Sequence, residues 1–155
     1  MLWRTLTCKK PVVSLSISSL KGNTVGIISD LNESDFEYVT RMTRNNVQQV
    51  EEEWVKSDII MLGCSTYYGA KTTLPEFPEQ LIAYKSILSS LSDKRIILFG
   101  SGNSDFQCFC GAVDYLSELL KEKNKIEGVY KFVGYPRKIE QQQFKEMVEN
   151  IIYEY

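Results

Sequence analysis

Three short stretches of this chain concentrate hydroxyls, glycines and aromatic rings in spacings suited to holding an anion and a flat ring. The first is Ser18-Ser19-Leu20-Lys21-Gly22-Asn23-Thr24. Hydroxyls and free backbone N–H groups at a helix start attract a phosphate, so Ser19, Asn23, Thr24 and the amides around Gly22 form a candidate anion cradle. The spacing is not that of a GxxxxGK[ST] loop. The second is Cys64-Ser65-Thr66-Tyr67-Tyr68-Gly69-Ala70, where two tyrosines could offer a face to an aromatic ligand. The third is Gly100-Ser101-Gly102-Asn103-Ser104-Asp105-Phe106-Gln107. Its glycines let backbone approach a ligand closely, and Phe106 could cover a second ring face. Read singly, each stretch also fits an ordinary capped or glycine turn, with its aromatic residue in the core or on the surface. Read together, they describe a phosphate at one end and a planar ring between aromatics at the other, the shape of a flavin nucleotide.

Other chemistries are poorly served. The 155-residue chain has no histidine, which removes the commonest general base and transition-metal ligand. Its four cysteines, Cys8, Cys64, Cys108 and Cys110, form no CxxC pair and lack zinc-site spacing. They read as reduced thiols, with Cys64 and Cys110 as small apolar residues. A formal net charge of −2 gives no large basic face, so no nucleic-acid partner is expected. The opening MLWRTLTCKKP lacks the apolar stretch of a signal peptide, and no apolar run is long enough to span a membrane. The expectation is a soluble cytoplasmic protein. It is read as one domain over residues 1–155, with residues 1–10 a loose N-terminal extension.

The elements that would position the three loops follow from apolar patterning. Residues 12–18 read as a strand with Val and Ile at its core, and residues 58–64 and 95–100 are short, nearly continuous apolar runs that suit strands buried on both faces. Residues 36–43 and 129–133 read as two further strands. Residues 24–34, 47–56, 77–91, 110–123 and 141–153 read as helices. Five strands alternating with helices predict an α/β fold of three layers, a five-stranded parallel sheet covered on both sides. In such a sheet the loops beyond the carboxyl ends of the strands hold the ligand.

The motifs resemble those of the flavodoxins. Gly63-Cys64-Ser65-Thr66-Tyr67 is similar to that family's GCSTW. Phe99-Gly100-Ser101-Gly102-Asn103-Ser104 followed by Phe109-Cys110-Gly111-Ala112-Val113-Asp114 resembles FGxGDSxxxxxFCGAVD. Residues 19–24 resemble STTGNT, and Gly134-Tyr135-Pro136-Arg137 resembles GDPR. The resemblance runs from about residue 12 to the C-terminus and is weakest over residues 25–57.

The resemblance implies a short-chain flavodoxin with sheet order 2-1-3-4-5. Such a protein is a monomeric, non-enzymatic carrier that binds flavin mononucleotide (FMN) and passes single electrons between a reductase donor and an enzyme acceptor. Ser19, Asn23 and Thr24, with the amides of Lys21 and Gly22, would hold the phosphate. Ser65 and Thr66 would lie near the phosphate and ribityl chain. Tyr67 would replace the inner tryptophan and Phe106 the outer tyrosine. Ser101, Gly102, Asn103 and Cys110 would border the pyrimidine edge, and the peptide next to Gly69, beside Tyr68, would meet flavin N5. Tyr68, Lys71 and Glu76 are candidates for the docking face. The departures from the pattern are Lys21 for threonine, the inserted Tyr68, Asn103 for aspartate and Phe106 for tyrosine. With Lys71 and the small net charge, Asn103 predicts an easier second reduction than in strongly acidic relatives. Two other readings share the fold: the flavodoxin-like activator of class Ib ribonucleotide reductase, and a flavin-free binding module.

Overall fold

A computed structural model describes residues 10–18, 22–66, 74–103 and 110–154. Five strands form one sheet: β1 (Val13–Ser18), β2 (Tyr38–Arg41), β3 (Ile59–Cys64), β4 (Arg95–Gly102) and β5 (Lys125–Val133). All neighbours are parallel and the order is β2-β1-β3-β4-β5, as the patterning and the resemblance predict. The helices are α1 (Asn23–Gly26), α2 (Val47–Val55), α3 (Lys85–Ser90), α4 (Gly111–Leu120) and α5 (Lys138–Ile152), with 3-10 turns at Glu33–Asp35 and Glu79–Tyr84.

Alternation along each strand assigns side chains to two cores. On one face Ile60, Leu62, Ile96 and Leu98 pack with Trp54, Tyr84, Leu88, Val113 and Leu116 from α2, the second 3-10 turn, α3 and α4. On the other, Val13, Leu15, Ile17, Met61 and Phe99 pack with Phe144, Val148 and Ile152 of α5. The central strands β1 and β3 are buried along their whole length, whereas the edge strand β2 alternates half-buried and exposed residues. The sequence VSLSIS therefore puts a row of serines into the first core. Ser14 and Ser16 stay because they are bonded: Ser14 Oγ lies 2.5 Å from Ser57 Oγ, and Trp54 Nε1 donates to Ser16 Oγ at 2.9 Å.

Three elements differ from the sequence expectation. The helix expected over residues 24–34 is a single turn, Asn23–Gly26, followed by turns and the 3-10 segment. Tertiary bonding and poor local propensity stop it. Gln141 Nε2 of α5 takes the Gly26 carbonyl at 2.8 Å, and the Asn32 side chain accepts the Ser34 N–H at 3.1 Å. The helix expected over residues 77–91 enters as a 3-10 turn after Pro78 and becomes regular only at Lys85. Strand β5 starts four residues before residue 129. Its register shifts between Ile96 and Ile97, which pair with Ile126 and Gly128, so Glu127 is the extra residue of a bulge. That acid and glycine hide the strand's first half from apolar patterning.

Candidate functional site

The carboxyl ends of β1, β3 and β4 meet where the chain order of the sheet reverses, between β1 and β3. Three hydroxyls converge there. Thr24 Oγ1 of α1 lies 2.5 Å from Ser65 Oγ and 3.1 Å from Ser101 Oγ, and Ser101 Oγ is 3.3 Å from Ser65 Oγ. All three residues are buried. Each hydroxyl can donate once around this ring and accept once, so the cluster is satisfied without a charge. It ties together all three loops singled out in the sequence, which lie about forty residues apart along the chain. Thr24 points its hydroxyl into this cluster.

Backbone bonds complete the seam. Ser65 N donates to Ser18 O at 3.4 Å and Thr66 N to Ser101 O at 3.0 Å. Thr66 Oγ1 accepts the Ala112 N–H at the start of α4, at 3.0 Å. Gly134 N donates to Gly102 O at 3.2 Å, holding the end of β4 against the chain leaving β5. Gly22, at φ +80°, turns the first loop into α1 through the left-handed region that favours glycine, and a Cβ there would meet open space. Gly100 is required by close approach. A Cβ on it would fall 2.0 Å from the Cys64 carbonyl oxygen and 2.8 Å from Val113 Cγ2.

Cys110 occupies the left-handed region at φ 53°, immediately before α4. Its thiol is buried and lies 3.5 Å from Gly100 O and 3.8 Å from Phe132 O. Burial pushes its pKa up to about 11, so it remains a neutral thiol and no nucleophile. Burial likewise raises the Cys64 thiol. Among the described residues no cluster of acids and thiols could hold a metal ion, and no helix is long and apolar enough to cross a membrane.

Of the sequence-predicted site residues, Thr24, Ser65 and Ser101 are brought together directly. Thr66, Gly102 and Cys110 border them, and Gly22 and Asn23 stand on the adjoining turn. Asn103 is exposed at the end of β4. Ser19, Lys21, Tyr67, Tyr68, Gly69 and Phe106, with Lys71, lie outside the described residues. Gln80 was not singled out in the sequence. Its Nε2 donates to Ser65 O at 2.5 Å and lies 3.3 Å from Cys64 Sγ, fastening the second loop to the 3-10 turn. Nothing in the sequence marks it, because a glutamine in an amphipathic segment reads as a solvent-facing residue.

Among the described residues the arrangement is a hydroxyl-rich cluster without a charged side chain, set against close-packed glycine backbone. The sequence profile of the flavodoxin family matches residues 22–134, which is most of the chain. The chain belongs to the flavodoxin family. Members of that family are flavin-dependent electron-transfer proteins, not enzymes. A flavodoxin of Nitratidesulfovibrio vulgaris is 29% identical over 111 residues, 70% of this chain and 74% of that one. A flavodoxin of Maridesulfovibrio salexigens is 34% identical over 70 residues, which span 44% of this chain and 47% of the relative. Among solved structures, oxidised flavodoxin 2 of Bacillus cereus superimposes with a TM-score of 0.72 at 22% identity, covering 93% of this chain and 99% of that one. The flavodoxin of Streptococcus pneumoniae TIGR4 gives 0.71 at 20% identity, with the same coverage. At these identities the structures establish the shared fold.

Proposed function

We propose that this flavodoxin binds FMN and carries single electrons between a donor reductase and an acceptor enzyme, meeting each through a transient contact. The observation that supports this reading is the convergence of the Thr24, Ser65 and Ser101 hydroxyls between the turns at Gly22 and Gly102. Two features of the described residues support this cofactor. Gly22 leaves open space where a side chain would stand, and the floor is polar without being charged.

Ser19, Asn23 and Thr24, with the amides of Lys21 and Gly22, would hold the phosphate. Ser65 and Thr66 would flank it and the ribityl chain. Tyr67 and Phe106 would cover the two ring faces and exclude water from them. Ser101, Gly102, Asn103 and the backbone at Cys110 would border the pyrimidine edge, and the peptide beside Tyr68 and Gly69 would supply a hydrogen-bond acceptor to the ring. When bound, FMN supplies the electron storage; the chain orients it and sets its electrostatic surroundings.

The test is an absorption and fluorescence titration of cofactor-free protein with FMN and with riboflavin. The expected result is tight, stoichiometric quenching of FMN fluorescence and markedly weaker binding of riboflavin, which lacks the phosphate. Protein that leaves FMN fluorescence unchanged defeats the proposal and favours a flavin-free module.

A further inference from the structure

A groove of about 730 Å³ opens beside β1 and β2, walled in part by the turns that follow the short α1. Its floor and walls include Leu15, Ile28, Leu31, Phe36 and Val39. The groove is continuous with the core on the α5 side, since Leu15 belongs to that core and Ile28, Leu31 and Phe36 pack against it. Val25 and Val39 are 44% and 60% exposed, and Tyr135, which also lines the groove, is 65% exposed. A run of exposed apolar residues leading directly into a core is a surface that needs a cover.

We propose that residues 1–9 of the same chain cover this groove, with Leu2, Trp3 and Leu6 as the apolar anchors. Two observations select this occupant. The first is where the segment begins. Lys10 Nζ is fixed beside the groove, 2.7 Å from Asp35 Oδ1 and 3.2 Å from the Ser34 carbonyl. Glu33 and Phe36, on either side of these two residues, line the groove. Nine residues reach up to about 30 Å when extended, far more than is needed to cross it. The second is charge. Residues 1–10 carry Arg4, Lys9 and Lys10 and no acid, whereas residues 24–40 carry Asp30, Glu33, Asp35 and Glu37 and no base. The Lys10–Asp35 ion pair is already one contact of this pattern. Because the groove reaches Gly22 and Val25, the cover would also brace the turn that opens α1. This proposal replaces the loose extension expected from the sequence, and it does not depend on FMN binding.

The chain has two tryptophans, and Trp54 is buried at 1% exposure, so Trp3 can be isolated spectroscopically. The test takes the fluorescence difference between the natural full-length chain and its Trp3→Phe variant, and adds amide hydrogen exchange of a full-length Trp3→Asp variant. The expected Trp3 emission is blue-shifted, with acrylamide quenching several-fold weaker than for a hydrated indole. Trp3→Asp is expected to speed exchange several-fold over residues 25–39 and leave β4 unchanged. A Trp3 that emits and quenches as a fully hydrated indole overturns the proposal, even if Trp3→Asp fails to fold. So does protection of residues 25–39 that appears only at concentrations where sedimentation shows a dimer, because the occupant is then a second copy.

Discussion

The two ends of the same sheet are built from different materials. At the carboxyl end, where β1, β3 and β4 meet, the contacts are made by Thr24, Ser65, Ser101, Gly100 and Gly102, all small and uncharged. At the amino end the strands are fastened by ions. Arg95 at the start of β4 donates to both oxygens of Glu127 at 2.9 and 2.8 Å, and reaches Glu154 at 3.0 Å. Lys94 Nζ takes the Val55 and Ser57 carbonyls at 3.1 and 2.8 Å, and Asp58 accepts the Val12 N–H at 2.8 Å. Asp35 receives both Lys10 and the Tyr153 hydroxyl. Charged pairs with long side chains fill space and set register. Small neutral groups leave space and let backbone come close. The carboxyl end is therefore free of bulk where β1, β3 and β4 meet, its Lys131–Asp114 ion pair lying to one side on β5 and α4, and most of the ion pairs hold the frame from the far side.

The most severe way to break this contrast is to add bulk at the carboxyl end. Gly100→Ala would force a methyl group against the Cys64 carbonyl oxygen and Val113, and neither backbone strand can retreat without disturbing the β3–β4 pairing. The expected loss is about 3 kcal/mol, at the upper end of overpacking costs. Urea unfolding of the cofactor-free protein checks it. A loss below 1 kcal/mol would mean that the carboxyl end yields easily and is not close-packed.

The amino end should respond next, and with a pH signature. The Arg95 hydrogen bonds hold the Glu127 carboxyl below its ordinary range, against burial that raises it and with help from Lys125. Glu127 is 6% exposed at its side chain and Arg95 32%. Arg95→Met leaves a mostly buried carboxylate without its main partner, at an expected cost of about 2 kcal/mol near neutral pH, discounted for the exposure of Arg95. A depressed carboxyl contributes its stability above its unfolded pKa and loses it as pH falls through the folded one. The gap between natural protein and variant should therefore be widest near neutrality and close as pH drops below the ordinary glutamate range. Denaturant midpoints measured across that interval test it, and a gap that widens toward acid contradicts the assignment.

The contrast between the ends also explains what was legible in the sequence. The buried strands β3 and β4 were plain, because continuous apolar runs such as IIML and IILF have few other uses, and β1 was legible from the Val, Leu and Ile that alternate with its serines. The loops were legible as a set, since hydroxyls and glycines at three strand ends have a shared chemical meaning. The site's lateral support was not. Gln80 acts on the second loop through one side-chain amide, which no periodicity announces. The first half of β5 and the extent of α1 were misread for a common reason. Long-range partners override local pattern there: Arg95 draws Glu127 into a bulge, and Gln141 takes the carbonyl that would have continued the helix. The ion-pair network was hidden as well, because a charged residue at a strand start looks like any solvated one until its partner is placed.

The finest test concerns whether the hydroxyl cluster is a joint or only a lining. Ser101→Ala removes one member and leaves Thr24 and Ser65 their mutual 2.5 Å bond. Each remaining hydroxyl loses one neighbour but keeps a partner, so no buried oxygen is stranded. The cost should stay near the net worth of a single hydrogen bond, about 1 kcal/mol. The exposed Ser89, whose hydroxyl donates to the Lys85 carbonyl in its own helix, supplies the comparison, and its replacement by alanine should cost under about 0.5 kcal/mol. If Ser101 is a joint between the first and third loops, its loss should also speed amide exchange at Gly22 to Gly26, on the far side of the cluster. An exchange pattern altered only at Ser101 and its strand neighbours would make it a lining. The carboxyl end would then owe its order to strand packing alone.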